Sequence, residues 1–217
     1  MRATAIVPVK RFAGAKRRLS AALGPELRGA LAEAMLGDVL AAVARTRGVE
    51  RTIVITGEPA AQRAARAHDA AVVEDPDDGG HSRAAGLGIA RALDLGARAA
   101  ALLPGDCPLL NPGELDGALE RVSGGRVAIV PDRHGTGTNA LLLAPPHAIE
   151  PAFGQGSRAR HERLARASGH VVAIEPLESL GLDVDTPEDL EALRDLLARA
   201  PDRAPRTAAA LAHPVRT

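Results

Sequence analysis

"AAALLPGD", residues 99–106, is five small or aliphatic residues followed by a Pro-Gly turn and an acid. No polar residue interrupts the run, so a strand here must be covered on both faces, as central strands of parallel sheets are. Outward from it, short β-branched or aliphatic runs alternate with Ala/Leu/Arg stretches of helical period, the rhythm of strands joined by crossover helices. Upstream, Ala5 to Val9 reads as a first strand, and Leu27, Leu31, Met35, Val39 and Val43 recur every four residues as a helical stripe. "RTIVITG" (51–57) and "AAVVED" (70–75) follow as strands with an Ala-rich helix between them. A helix over 83–96 leads into the central run. Downstream come a helix near Glu114 to Val122, strands in "RVAIVPD" (126–132), "NALLLA" (139–144) and "HVVAIEP" (170–176), and a helix in "RARHERLARA" (158–167). In "GLDVDTPEDLEALRDLLARA" (181–200), an extended piece precedes a helix with Thr186 as N-cap, Pro187 at its first position, and Glu188 and Asp189 in its first turn. The expected architecture is a three-layer α/β/α sandwich on a mostly parallel sheet. One domain is expected over residues 1–200, and the Ala/Pro/Arg tail at 201–217, which lacks apolar periodicity, is expected to be disordered.

Composition narrows the functional classes. Acidic and basic residues balance at 27 each, there is no Trp or Tyr, and Phe occurs twice. A nucleic-acid binder would normally show a basic excess and stacking aromatics, so small-molecule partners are favoured. A single cysteine, Cys107, allows no internal disulfide, and no apolar run reaches ~18 residues. We therefore expect a cytoplasmic protein without a membrane partner; homo-oligomer formation is left open.

In open α/β sheets ligands lie outside the carboxyl ends of the strands, so the residues that follow each strand are read together. After the first strand comes "IVPVKRFAGAKRRLS" (6–20), whose Lys10 and Lys16 are the only lysines in a chain otherwise basic through Arg. A compact ammonium on a flexible stem can follow a phosphate, whereas a guanidinium favours a fixed bidentate pose. Asp106 ends the central strand, and Asp183 and Asp185 alternate along an extended segment, which puts them on one face about 6.5–7 Å apart at the α-carbons. Three converging carboxylates repel one another unless a cation holds them, and oxygen-only ligands suit Mg2+. The plain alternative is that Asp183 or Asp185 caps the last helix and Asp106 closes a turn.

Two Gly-rich loops complete the set. "DRHGTGTN" (132–139) suits close backbone approach and hydrogen bonding to a phosphate or carboxylate. In "FGQGSRARH" (153–161), Ser157 is expected to cap the next helix and leave its N–H groups facing an anion. There is no dinucleotide-binding Gly fingerprint, no P-loop, no nucleophile elbow and no zinc spacing of the seven histidines, and Cys107 reads as a small, unreactive residue beside the site.

Taken in order, "VPVKRFAGAKRRLS", "LPGDCPLL", "DRHGTGTNALLL", "FGQGSRARH" and "LDVDTPEDL" span nearly all of residues 1–195. In these the chain resembles the 2-phospho-L-lactate and phosphoenolpyruvate guanylyltransferase family of coenzyme F(420) biosynthesis. The resemblance implies a glycosyltransferase-A-like nucleotidyltransferase fold and a Mg2+-dependent transfer of GMP from GTP to a phospho-acid. It implies Asp106, Asp183 and Asp185 as metal ligands, and Lys10 and Lys16 with Arg18 as triphosphate contacts, with Lys10, Lys16 and Asp106 serving catalysis. The phosphoenolpyruvate-using branch implies Thr138, Gly154 and Ser157 as acceptor contacts. 2-Phospho-L-lactate or 3-phosphoglycerate is the alternative acceptor in the same pathway, and a sugar phosphate or molybdopterin is the alternative outside it. One departure stands out: many relatives carry Leu-Asn near the start of the helix after "DPDDGGHS", whereas "GLGIA" (86–90) places Gly88 at the Asn position.

Overall fold

A computed structural model describes residues 2–14, 16–122 and 125–212. Its strands are β1 (Ala3–Pro8), β2 (Val49–Ile55), β3 (Ala71–Val73), β4 (Ala100–Leu102), β5 (Arg126–Pro131), β6 (Thr138–Leu143) and β7 (Val171–Ile174). They form one sheet in the order β3-β2-β1-β4-β6-β5-β7, so the 99–106 run supplies the middle strand, β4. Every pairing is parallel except those of β6, which runs antiparallel to both β4 and β5. Because of that reversal β6 begins, at Thr138, on the edge where the parallel strands end. Leu102 of β4 sits opposite Leu141, and Ala100 opposite Leu143.

The helices are α1 (Pro25–Ala44), α2 (Pro59–Ala67), α3 (His81–Asp94), α4 (Pro112–Arg121), α5 (Ser157–Ala167), α6 (Pro187–Arg199) and α7 (Pro205–Ala212). Period-2 alternation divides the strands between two faces. Ala5, Val7, Val54, Ala101, Leu103, Ala128 and Val130 pack with α1, α2 and α4, while Ile6, Ile53, Ile55, Ala100, Leu102, Val127 and Ile129 pack with α3 and α5. The three-layer expectation is met. On α1, Leu31, Met35, Leu36, Val39, Leu40 and Val43 are all buried, each contributing about 1.5–3 kcal/mol through removal of apolar surface from water.

One expectation is corrected. Residues 201–212 are ordered: a 3-10 turn (Pro201–Arg203) precedes α7, which packs on α1, while 213–217 lie outside the described residues. The reason is a buried carboxylate on another helix. Asp38 of α1 accepts hydrogen bonds from the backbone N–H groups of Arg206 and Thr207 (3.2 and 2.8 Å) and from the Thr207 hydroxyl (2.7 Å), so it caps α7 from outside its own segment. Gly88, the departure noted above, is buried in the core. A Cβ there would lie 2.3 Å from Ile6 Cγ2 and 2.8 Å from Ile55 Cδ1, so glycine is what lets α3 approach β1 and β2.

The start of α6 follows the sequence closely. Thr186 accepts from the Asp189 N–H, and the Asp189 carboxylate accepts in return from the N–H groups of Thr186 and Asp185. The capping work thus falls to Thr186 and Asp189, and the carboxylate of Asp185 is free for other contacts.

Candidate active site

Two cavities open at the carboxyl edge of the sheet. The first, of about 390 Å³, lies between the loop after β1 and the start of β4's turn, and includes Lys10, Phe12, Lys16 and Gly105 in its wall. The second, of about 710 Å³, is walled by Arg18, Thr138, Gly154, Ser157 and the segment that carries Asp183. They adjoin: His81, Pro104, Asp106 and Asp185 line both.

Each sequence-derived residue can now be placed. Asp106, Asp183 and Asp185 all face the second cavity, and Val184 between the last two is fully buried, so the extended segment presents both acids on one side. Lys16 adopts a left-handed backbone (φ 54°) that turns its side chain inward, where it is 5% exposed. Its ammonium donates to Asp106 Oδ2 (2.5 Å) and to Asp185 Oδ1 (2.9 Å). In this arrangement Lys16 bridges the two acids; the exposed Lys10 is the lysine whose charge is open to the first cavity. Arg18 lines the second cavity, whereas the two lysines line the first.

The charges of this cluster set one another's ionisation. Burial opposes the charged form of Lys16, but Asp106 and Asp185 outweigh it and hold the ammonium above its ordinary range. Burial likewise opposes ionisation of Asp106, and Lys16 reverses that effect to bring its pKa below the usual value. For Asp183 the balance is reversed: burial, then the charge of Asp106, push it up, and Lys16 only partly offsets them. Cys107, fully buried, is pushed well above the usual thiol value by burial and the neighbouring carboxylates, in line with an unreactive residue.

The acceptor loops are built from backbone held by side chains. Asp132 accepts from the N–H groups of Thr136 (2.9 Å) and Gly137 (3.0 Å), and a Cβ at 137 would strike its carboxylate at 2.5 Å. Arg160 donates to the carbonyls of Ala152, Phe153 and Gln155, and Ser82 Oγ accepts from the Phe153 N–H. Gly154 (φ 110°) and Gly156 (φ 66°) take backbone conformations that favour glycine. Here the helix-cap expectation is corrected. Gly156 is the N-cap of α5 and Ser157 its first residue, because the left-handed turn at 156 already redirects the chain.

Sequence reading missed two histidines. His81 opens α3, faces both cavities and packs edge-on against Phe153 with ring centroids 4.5 Å apart. His161, one turn into α5, is completely buried and touches Thr138. Neither shows metal spacing, and in a helix rich in Arg a lone His reads as surface. A signal was available for His161 in its i+4 position after Ser157, which puts both on one face.

Comparison with known proteins gives a concordant result. Residues 3–197 match the model of the family described as guanylyl transferase CofC like. The chain belongs to this family. A phosphoenolpyruvate guanylyltransferase of Conexibacter woesei is 51% identical over 196 residues, covering 89% of this chain and 88% of that one. Another so named, from Sphaerobacter thermophilus, is 38% identical over 193 residues, covering 89% and 93%. Among solved structures, a nucleotidyl transferase from Methanothermobacter superposes with a TM-score of 0.66 at 21% identity, covering 91% of this chain and 98% of that one. CMP:2-keto-3-deoxy-manno-octonic acid synthetase in complex with CTP gives 0.61 at 14% identity, covering 92% and 99%. At these identities the structures establish the nucleotidyltransferase fold alone.

Proposed function

We propose that this guanylyltransferase-family chain transfers GMP from GTP to the phosphate of phosphoenolpyruvate, releasing pyrophosphate. The observation that carries the reading is the meeting of two cavities at Asp106 and Asp185: one walled by the lysine loop, the other by the Gly/Thr and Gly/Ser loops. A nucleoside triphosphate in the first and a small phospho-acid in the second would bring donor and acceptor phosphates together beside the acids. The names borne by the relatives from Conexibacter and Sphaerobacter support phosphoenolpyruvate as that acid.

The acceptor phosphate has a second pKa near ~6 and is largely ionised at neutral pH, so the reaction needs no strong base. What it needs is relief of repulsion between two polyanions. Lys10 would meet the triphosphate, Arg18 would face the acceptor side, and Thr138, Gly154 and Ser157 would fix the acceptor in line.

The acids fit a divalent cation. One ammonium pairs with Asp106 and Asp185, while burial and then the charge of Asp106 raise the pKa of Asp183 beside them. Among the described residues no three acidic, His or Cys side chains close into a ready coordination shell. Mg2+ does not require one, since it keeps several waters and binds through one or two carboxylates plus substrate phosphates. When bound it would neutralise phosphate charge and stabilise the leaving pyrophosphate. Asp106 and Asp185, whose oxygens already hold a cationic group, would be its ligands, with Asp183 beside them.

The test is pyrophosphate release from GTP and Mg2+ with phosphoenolpyruvate, 2-phospho-L-lactate or 3-phosphoglycerate supplied singly. The reading predicts release that depends on the divalent cation and is fastest with phosphoenolpyruvate. No release with any of the three contradicts the function, and preference for another acid reassigns the acceptor.

A further inference from the structure

His161 links the two halves of the acceptor site. Its Nε2 lies 2.8 Å from the backbone N of Ala152, and its Nδ1 lies 3.0 Å from Thr138 Oγ1. A backbone N–H can only donate, so Nε2 must present a lone pair. That excludes the imidazolium and the Nε2–H tautomer, each of which would set two donors against one another. The ring is therefore neutral with its proton on Nδ1, and it donates to Thr138 Oγ1. With one lone pair so occupied and no other hydrogen bond formed by this oxygen among the described residues, the Thr138 hydroxyl proton is left to point into the cavity that Thr138 lines.

We propose that His161 is a positioning residue that fixes Thr138 as a hydrogen-bond donor toward an anionic oxygen of the acceptor substrate. The proposal rests on the acceptor assignment made above and adds a residue to it. A carboxylate or ionised phosphate can only accept, so a threonine whose hydroxyl proton is left to donate into the cavity matches such a ligand. The same ring also anchors the loop opposite: Ala152 leads directly into Phe153 and Gly154, and Phe153 packs edge-on against His161 at 5.2 Å. One side chain thus sets Thr138 on β6 and the Gly154 loop relative to each other. Complete burial supports the neutral state, as does the charge of Arg160, and together they bring the pKa of His161 down to about 4.

Steady-state kinetics and imidazole NMR test this. His161→Leu should raise KM for phosphoenolpyruvate about tenfold or more, as expected on loss of an oriented bond to a charged group, with KM for GTP within about twofold of wild type. His161→Asn, whose amide can replace the Nδ1–H donor, should recover part of the loss, whereas His161→Gln, which can replace only the Nε2 acceptor, should recover less. In a Thr138→Val background, His161→Leu should add less than it does in the wild type, the remainder reporting loss of the Ala152 contact. In the wild-type protein, long-range 1H–15N correlation should show the Nδ1–H tautomer, unchanged between pH 5.5 and 8. Unchanged KM for phosphoenolpyruvate in His161→Leu, an equal rise in both KM values, or an Nε2–H tautomer would overturn the proposal. Should the Leu variant not fold, the wild-type tautomer and the Asn variant still decide it. Wild-type turnover of phosphoenolpyruvate is the control for the functional reading; its absence overturns that reading and leaves the tautomer to decide this one.

Discussion

Burial, assisted by Arg160, lowers the pKa of His161 from an ordinary 6.5 to about 4, which makes the residue a probe of stability as well as of substrate binding. Between those values the unfolded chain takes up a proton that the folded chain refuses, so stability falls as pH drops through that window and is undiminished above it. Thermal unfolding from pH 7 to pH 4.5 should therefore show a steeper loss of Tm in the wild type than in His161→Asn; parallel curves would place the titration elsewhere. At this scale the sequence was informative wherever chemistry is written in residue type. Asp106, Asp183, Asp185, Thr138, Gly154 and Ser157 do line one cavity. It was uninformative where role depends on a partner. Nothing in the spacing of Lys16 says that it bridges Asp106 and Asp185, 90 and 169 residues away, and a buried histidine in an Arg-rich helix looks like surface until its neighbours are known.

The elements were legible where periodicity is strong, as along α1 and through the Thr186 to Asp189 capping box, because local physics specifies them. α7 was not, because its stability comes from elsewhere: an Ala-rich segment of eight residues is too short to persist alone, and its N-terminus is satisfied by Asp38 of α1. Asp38→Ala should strand those donors and lower unfolding free energy by about 1–3 kcal/mol in urea titration, while KM for GTP stays at the wild-type value. No loss of stability would mean that α7 is held by its apolar contacts alone. Strand direction was equally hidden. "NALLLA" reads the same apolar pattern whichever way it runs, yet the antiparallel course of β6 is what brings Thr138 to the edge where β4 delivers its turn and Asp106.

Across the whole molecule, the sheet collects at one edge segments from both ends of the chain: the lysine loop near residue 10, the acid after β4, the loops around 138 and 154, and the acids at 183 and 185. No pair of these is close in sequence except within a loop, so their ordered appearance along the chain was evidence for a family, while their division between two adjoining cavities emerges only from the fold. The proposed function divides the ligands in the same way, with nucleotide on the lysine side, phospho-acid on the threonine side, and Asp106 and Asp185 between them. Its most direct test is to measure KM for GTP and for phosphoenolpyruvate separately in Lys10→Ala and Thr138→Val. Lys10→Ala should raise KM for GTP about tenfold or more and Thr138→Val should raise KM for phosphoenolpyruvate by a similar factor, each leaving the other constant within about twofold. Both variants shifting the same constant, or each shifting the other's, would contradict it.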